Sequence, residues 1–244
     1  MHYLKGKTVL ITGANRGIGL AFVKEAIAQG VATIYAAGRD KNALNEVAKL
    51  NENITPVLLD VTNAEQIKTA FETLTELDVL INNAGIAHGC FHLNENAISV
   101  ARQEMETHYF GPLQIIQNAV PLLKQSQQAA IINIASAAAL SNFPSLGPYS
   151  VTKAALKSLS EGLRVELAPT NITVHCVYPG PTDTRLAPGD IPKATTESIA
   201  QNTLAAVANK ELDIYPDSFA KTMFEIYSES PEKLAQTYAG MHSG

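Results

Sequence analysis

Apolar residues in this chain come in short β-branched runs, separated by longer stretches where they recur at helical spacing. The short runs predict strands at Thr8–Thr12, Ala32–Ala36, Thr55–Leu59, Val79–Asn82, Ala130–Ala135 and Thr173–Val177, with a brief last one at Leu212–Tyr215. The longer stretches predict helices at Gly17–Gln29, Lys41–Lys49, Asn63–Glu76, Ala97–Lys124, Ser150–Ala168 and Thr196–Ala208, with weaker helices over about 217–240. Thr62 and Glu65 have capping-box spacing ahead of the third helix, and Asp40 is placed as N-cap of the second. The strands are continuously apolar, not alternating, so helices are expected on both of their faces. The fold class is therefore α/β, a doubly wound parallel sheet of about seven strands. No Pro/Ser-rich linker, charge run or repeat divides residues 1–244, which reads as a single domain.

In such sheets ligands bind beyond the carboxyl ends of the strands. Four segments fall there: Gly13–Gly19 after the first strand, Asn82–Gly85 at the fourth, Ser136 after the fifth and Pro179-Gly180 after the sixth. In Thr12-Gly13-Ala14-Asn15-Arg16-Gly17-Ile18-Gly19 the glycines permit a tight turn and close approach of a phosphate. The helix that follows offers free N–H groups and its positive dipole end. Gly13, Asn15, Arg16, Gly17, Ile18 and Gly19 thus form a candidate dinucleotide turn. NAD sites usually carry an acidic residue at the end of the second strand. Here that position is Gly38, followed by Arg39, and Arg16 stands in the turn. Two guanidinium groups suit a 2′-phosphate, which favours NADP(H) over NAD(H). Asp40 is either the acidic residue one position late or a helix cap. Asp60 could accept from an adenine amino group with Val61 against the ring, or serve as a turn residue.

The second half holds Tyr149-Ser150-Val151-Thr152-Lys153. A phenol is only about one part in a thousand ionised at neutral pH. Lys153, one helical turn on, is placed to lower that pKa, and Ser136 could hold a substrate oxygen for hydride attack. Tyr-x-x-x-Lys alone is common as a surface pair. Its weight comes from Ser136 and the glycine turn.

With these residues in place, the chain resembles the short-chain dehydrogenase/reductase family over nearly its whole length. The resemblance rests on Thr12–Gly19, Asp60-Val61, Asn82-Asn83-Ala84-Gly85, Ile132-Asn133-Ile134-Ala135-Ser136, Tyr149–Lys153 and Pro179-Gly180-Pro181-Thr182-Asp183-Thr184. It implies a Rossmann fold and a nicotinamide-dependent oxidoreductase acting on a CH-OH/carbonyl group. In it Ser136 orients substrate, Tyr149 is the acid/base, and Lys153 binds the nicotinamide ribose and lowers the tyrosine pKa. Asn82 supports the central strands and contacts cofactor, while Thr184 and the Thr182 backbone meet the carboxamide. Ala84, Gly85, Pro179 and Gly180 complete the implied cofactor set.

Two departures stand out. Where the family commonly has a fourth catalytic residue, an asparagine, this chain has His108, in Glu106-Thr107-His108-Tyr109-Phe110-Gly111. The family residue acts largely through its main-chain carbonyl, which histidine also has. His108 could titrate near neutrality and sharpen the pH profile, or pack without a role. The segment over about 184–196, with Pro188, Gly189 and Pro192, is short for a region that closes over substrate, so an open or shallow pocket is expected. The helices Ala97–Lys124 and Ser150–Ala168 pair between subunits in the family, which implies a homodimer or homotetramer.

Composition narrows the rest. Apolar residues make up 46% and charged residues 17%, enough for an ample core. A net charge of −5 argues against nucleic acid. No apolar run is long enough to span a bilayer, and Val9-Leu10-Ile11 is too short for a signal-peptide core. Cys90 and Cys176 do not make a disulfide framework, which with the rest suggests the cytoplasm. His88 and His92 lie in a loop and read as a substrate-cleft wall, with no metal site expected. The expected activity is NADPH-dependent reduction of an aldehyde or ketone, reversible to alcohol oxidation. The alternatives are an NADP-binding regulatory or scaffold protein without turnover, and an isomerase or dehydratase on the same sheet.

Overall fold

The computed structural model describes residues 2–187 and 189–242; Pro188 of the short segment lies outside them. Seven strands form one parallel sheet: β1 (Thr8–Thr12), β2 (Thr33–Gly38), β3 (Ile54–Leu58), β4 (Val79–Asn82), β5 (Ala129–Ile134), β6 (Ile172–Val177) and β7 (Asp213–Ile214). Their order is β3-β2-β1-β4-β5-β6-β7. The order reverses between β1 and β4, and the carboxyl ends of these two strands open a crevice there.

The helices are α1 (Gly17–Gln29), α2 (Lys41–Ala48), α3 (Ala64–Thr73), α4 (Ala97–Met105), α5 (Gly111–Leu123), α6 (Gly147–Glu166), α7 (Thr196–Ala208), α8 (Ser218–Glu229) and α9 (Pro231–His242). Side chains alternate along a strand, so β1 serves two cores. Val9 and Ile11 pack with Phe22 and Val23 of α1 and Leu204 of α7, while Leu10 packs on the other face with Ile67 of α3 and Ile115 of α5. A third cluster joins Leu156 of α6 and Tyr178 to Met223 of α8 and to Leu234 and Tyr238 of α9. Among the described residues no helix is long and apolar enough to cross a membrane.

Three expectations about helix ends are corrected. The cap of α3 is Asn63, not Thr62: its Oδ1 accepts from Gln66 N–H at 3.0 Å, and the Thr62 hydroxyl turns to Asp60 Oδ1 at 2.8 Å. Asn caps at least as well as Thr, and the return half of the box is replaced, since Gln66 Oε1 accepts from Asp60 N–H at 2.8 Å. The helix expected over Ala97–Lys124 is interrupted by a π-helical turn at Glu106–Phe110. Pro112 has no N–H for the His108 carbonyl four residues back, and Gly111 N–H bonds to Glu106 instead, five residues back. Finally, α6 starts at Gly147, with Pro148 in its first turn, so Tyr149 sits at a helix start.

Candidate active site

A cavity of about 1080 Å³ runs along the carboxyl ends of the strands. At one end its wall is the turn after β1, with Gly13, Asn15, Arg16, Gly17 and Ile18. Gly13 has a φ of 66°, and a Cβ there would stand 3.0 Å from Ala84 Cα. Helix α1, like α4 and α6, has no side-chain N-cap, whereas Asp40, Asn63, Thr195 and Asp217 cap α2, α3, α7 and α8. No side chain caps the first N–H groups of α1, and the turn leading into it lines the cavity. Arg39, Asp60 and Val61 line the same end. Arg39 Nη1 is 3.8 Å from Asp60 Oδ2. Asp60 Oδ1 also accepts from Thr62 N–H at 2.9 Å, so it works as a turn residue while facing the cavity. Asp40 lines the cavity too, but its Oδ1 accepts from the N–H groups of Asn42 and Ala43 at 3.0 Å, which is the cap geometry.

Asn83, Ala84 and Gly85 form the next stretch of wall, then Pro179, Gly180, Thr182 and Thr184. Gly19 and Asn82 do not reach it. Gly19 lies under the turn, where a Cβ would come 2.1 Å from Gly13 O and 2.6 Å from Asn83 Nδ2. Asn82 is buried between strands, its Nδ2 donating to Asn133 Oδ1 at 2.9 Å. Asn83, a role no local pattern reveals, clamps β1 to β4, donating from Nδ2 to Thr12 O at 2.9 Å. Thr12 Oγ1 in turn accepts from Asn83 N–H at 2.9 Å.

Ser136, Tyr149, Lys153 and His108 line the other end of this cavity. Ser136 follows β5 and starts a 3₁₀ turn, its Oγ accepting from Ala138 N–H at 3.2 Å. Tyr149 is set by the start of α6, where Ser150 Oγ donates to Leu146 O at 2.9 Å and accepts from Phe143 N–H at 3.1 Å. Lys153 Nζ donates to Ile134 O at 2.9 Å and lies 5.5 Å from the Tyr149 ring centroid. Burial pushes the Tyr149 phenol up to about 12, against the Ser136 hydroxyl, which pulls it down. Burial likewise lowers the Lys153 ammonium to about 8, with Cys176 and Glu104 working the other way. The expected acidification of Tyr149 by Lys153 is therefore not found in the free protein. Desolvation penalises both charged forms, and the ammonium is turned to the Ile134 carbonyl.

His108 sits in the π-helical turn and is 1% exposed. Its Nε2 accepts from Ile86 N–H at 3.1 Å, and Nδ1 lies 2.8 Å from Thr152 Oγ1. Thr152 Oγ1 gives its hydrogen to Tyr149 O at 2.8 Å, so the hydroxyl is the acceptor and His108 Nδ1 the donor. Every polar atom of a neutral ring is used. Burial, then Lys153, then His88, hold its pKa well below the usual 6.5. The expectation that His108 titrates near neutrality is thus overturned. A histidine kept neutral in the fold but free to protonate when unfolded stabilises above its unfolded pKa and loses that contribution as pH falls. Replacing His108 with Asn is expected to flatten the loss of Tm on acidification below pH 6.5, with His175, also lowered by burial, supplying the remainder. Thermal melts from neutral to acid pH check this; an unchanged slope would mean that His108 is protonated in the fold.

The rest of the wall comes from segments whose contribution the sequence did not reveal. Phe219 of α8 and Tyr238 of α9 line the cavity, and Tyr238 O–H donates to Ala137 O at 3.1 Å. The short segment after Thr184 is pinned at its base, where Asp183 and Ala194 pair at 2.9 Å. Instead of leaving the pocket bare, it adds Arg185, Leu186, Ala187 and Ile191 to the wall. His88 lines the cavity as expected of a cleft wall, but His92 bonds to Asn142 Nδ2 at 3.1 Å and stays out of it. Among the described residues no group of three or more His, Cys, Asp or Glu could hold a metal ion.

Known proteins resemble this chain in sequence and fold. YusZ, an uncharacterized oxidoreductase of Bacillus subtilis (strain 168), is 34% identical over 181 residues, covering 71% of this chain. That match spans 64% of YusZ, less than two-thirds of its length. A short chain dehydrogenase from Burkholderia cenocepacia J2315, solved in complex with NADP, superposes with a TM-score of 0.91 at 32% identity, covering 96% of this chain and 98% of that one. An NADPH-bound carbonyl reductase from chicken fatty liver gives a TM-score of 0.79 at 29% identity, covering 84% and 92%. Residues 7–193 match the family model described as short chain dehydrogenase. The chain belongs to the short-chain dehydrogenase family.

Proposed function

We propose that this protein reduces an aldehyde or ketone to the alcohol with NADPH. The observation that carries the reading is the cavity itself, with an uncapped helix start and glycine turn at one end and Ser136, Tyr149 and Lys153 at the other. Gly13, Asn15, Gly17 and Ile18 would cradle the pyrophosphate, and Arg16 and Arg39 would take the 2′-phosphate. The NADP and NADPH carried by the two structural relatives support that choice. The bound nicotinamide supplies the hydride.

The chain's own residues manage the oxygen. Ser136 Oγ donates a hydrogen bond to the substrate carbonyl and holds it in place. With its pKa near 12, the Tyr149 phenol is protonated at neutral pH and ready to give its proton. The acceptor, an alkoxide, is the base of an alcohol about as weak an acid as water (pKa about 15.7), so the transfer runs downhill. Lys153 then stands beside the phenolate and stabilises it until solvent restores the proton. His108 does not touch the reacting atoms and acts as a positioning residue, tying the strand-end loop at Ile86 to the helix that carries Tyr149. Exposed Phe110, Val151 and Val165, on and beside α5 and α6, support assembly as a homodimer or homotetramer through those helices.

Arg39→Asp tests the cofactor choice. It removes a charge-assisted contact and adds repulsion, so the preference for NADPH over NADH should fall at least about tenfold. Titration of both cofactors reads the ratio, and an unchanged one would remove Arg39 from the site.

A further inference from the structure

Glu104 of α4 is fully buried, yet the reaction as derived does not use it. Its Oε1 accepts from the His88 backbone N–H at 3.0 Å and lies 3.3 Å from His88 Nδ1. Its Oε2 finds no partner among the described residues. The His88 side chain, in contrast, is 39% exposed and lines the cavity that holds Tyr149. A buried carboxylate gripping a half-exposed ring fixes that ring's orientation. A carboxylate only accepts hydrogen bonds, so the contact selects the tautomer with the hydrogen on Nδ1, in which Nε2 is the acceptor nitrogen. Ile86, Phe143 and Leu146 add apolar surface to the wall of the same cavity. An oriented acceptor in an apolar pocket distinguishes ligands by whether they bring a hydroxyl to it.

From the His88–Glu104 pair we infer a substrate-recognition site for a hydroxyl group, so that the preferred substrates are hydroxy-ketones or hydroxy-aldehydes with an otherwise apolar body. This rests on the carbonyl-reductase reading and narrows its substrate class. His88 Nε2 accepts the substrate hydroxyl while Ser136 and Tyr149 engage the carbonyl oxygen. Glu104 acts one step removed, as a positioning residue that holds the imidazole in its Nδ1–H form.

The test compares kcat/KM with NADPH for straight-chain methyl ketones and for α-hydroxy ketones of the same length. Wild type should favour the hydroxy ketone about tenfold, the worth of one hydrogen bond. In His88→Phe that ratio should collapse towards one, and in Glu104→Gln it should fall partway, because an amide no longer dictates the tautomer. A merely structural role would slow both substrates alike and leave the ratio standing, which would overturn the inference. So would a wild type that shows no preference, or one that prefers keto acids. If Glu104→Gln fails to fold, His88→Phe and His88→Asn carry the comparison. If wild type turns over neither substrate, the aldehyde and ketone panel decides the reductase reading, and the recognition site is decided separately by thermal shift of the NADPH-loaded protein. A larger shift with the hydroxy ketone that His88→Phe removes sustains the site, and equal shifts overturn it.

Discussion

Tyr149→Phe should lower kcat for carbonyl reduction by about a hundred- to ten-thousandfold, the usual worth of a positioned general acid. The substitution deletes one oxygen and keeps the ring, so the packing against His108, whose ring centroid lies 5.4 Å away, survives. NADPH affinity should change far less than kcat, because the glycine turn and the arginines lie at the other end of the cavity. The split distinguishes a lost proton donor from a damaged pocket. Single-turnover oxidation of NADPH with saturating ketone measures it. Undiminished turnover in the variant would place the proton donor elsewhere.

Gly19→Ala should disable the nucleotide end without touching a ligand. The new Cβ would sit 2.1 Å from Gly13 O, and both groups belong to backbone that is held on either side. Asn83, which pins Thr12 O, lies 2.6 Å from the same point, so the helix and the turn must separate by about 1 Å. Overpacking of this kind costs about 3 kcal/mol. In a chain of this size that is a Tm loss of roughly 10 °C. NADPH affinity should fall about a hundredfold, since the displaced turn misplaces its donors. Calorimetry and cofactor titration read the two effects. Wild-type values in both would mean that α1 is not seated against the turn as described.

The parts of the site that local backbone chemistry dictates were legible in the sequence. The glycine turn, the strand ends and the Ser136, Tyr149 and Lys153 spacing all fell at one rim, because each motif carries its own turn or helix register. Asp40 was legible as a cap for the same reason. Features that depend on distant segments were not. His108 was visible as a departure, but its neutrality comes from Ile86 and Thr152, which only folding brings to its two nitrogens. The Tyr149 pKa was misjudged because spacing reveals the neighbouring ammonium and not the burial that outweighs it. Phe219 and Tyr238 reach the cavity from helices at the far end of the chain, with no motif to announce them. The π-helical turn had a signal, Gly111-Pro112 in mid-helix, that the hydrophobic periodicity masked.

The central claim is that this cavity carries out a reduction and does not merely bind a nucleotide. Wild-type protein mixed with NADPH and a panel of aldehydes and ketones, with cofactor absorbance and alcohol formation followed together, tests it most directly. NADPH should disappear in equal measure with the appearance of alcohol for at least one member of the panel. Tight NADPH binding with no oxidation across the whole panel would contradict it and leave the protein a nucleotide-binding scaffold.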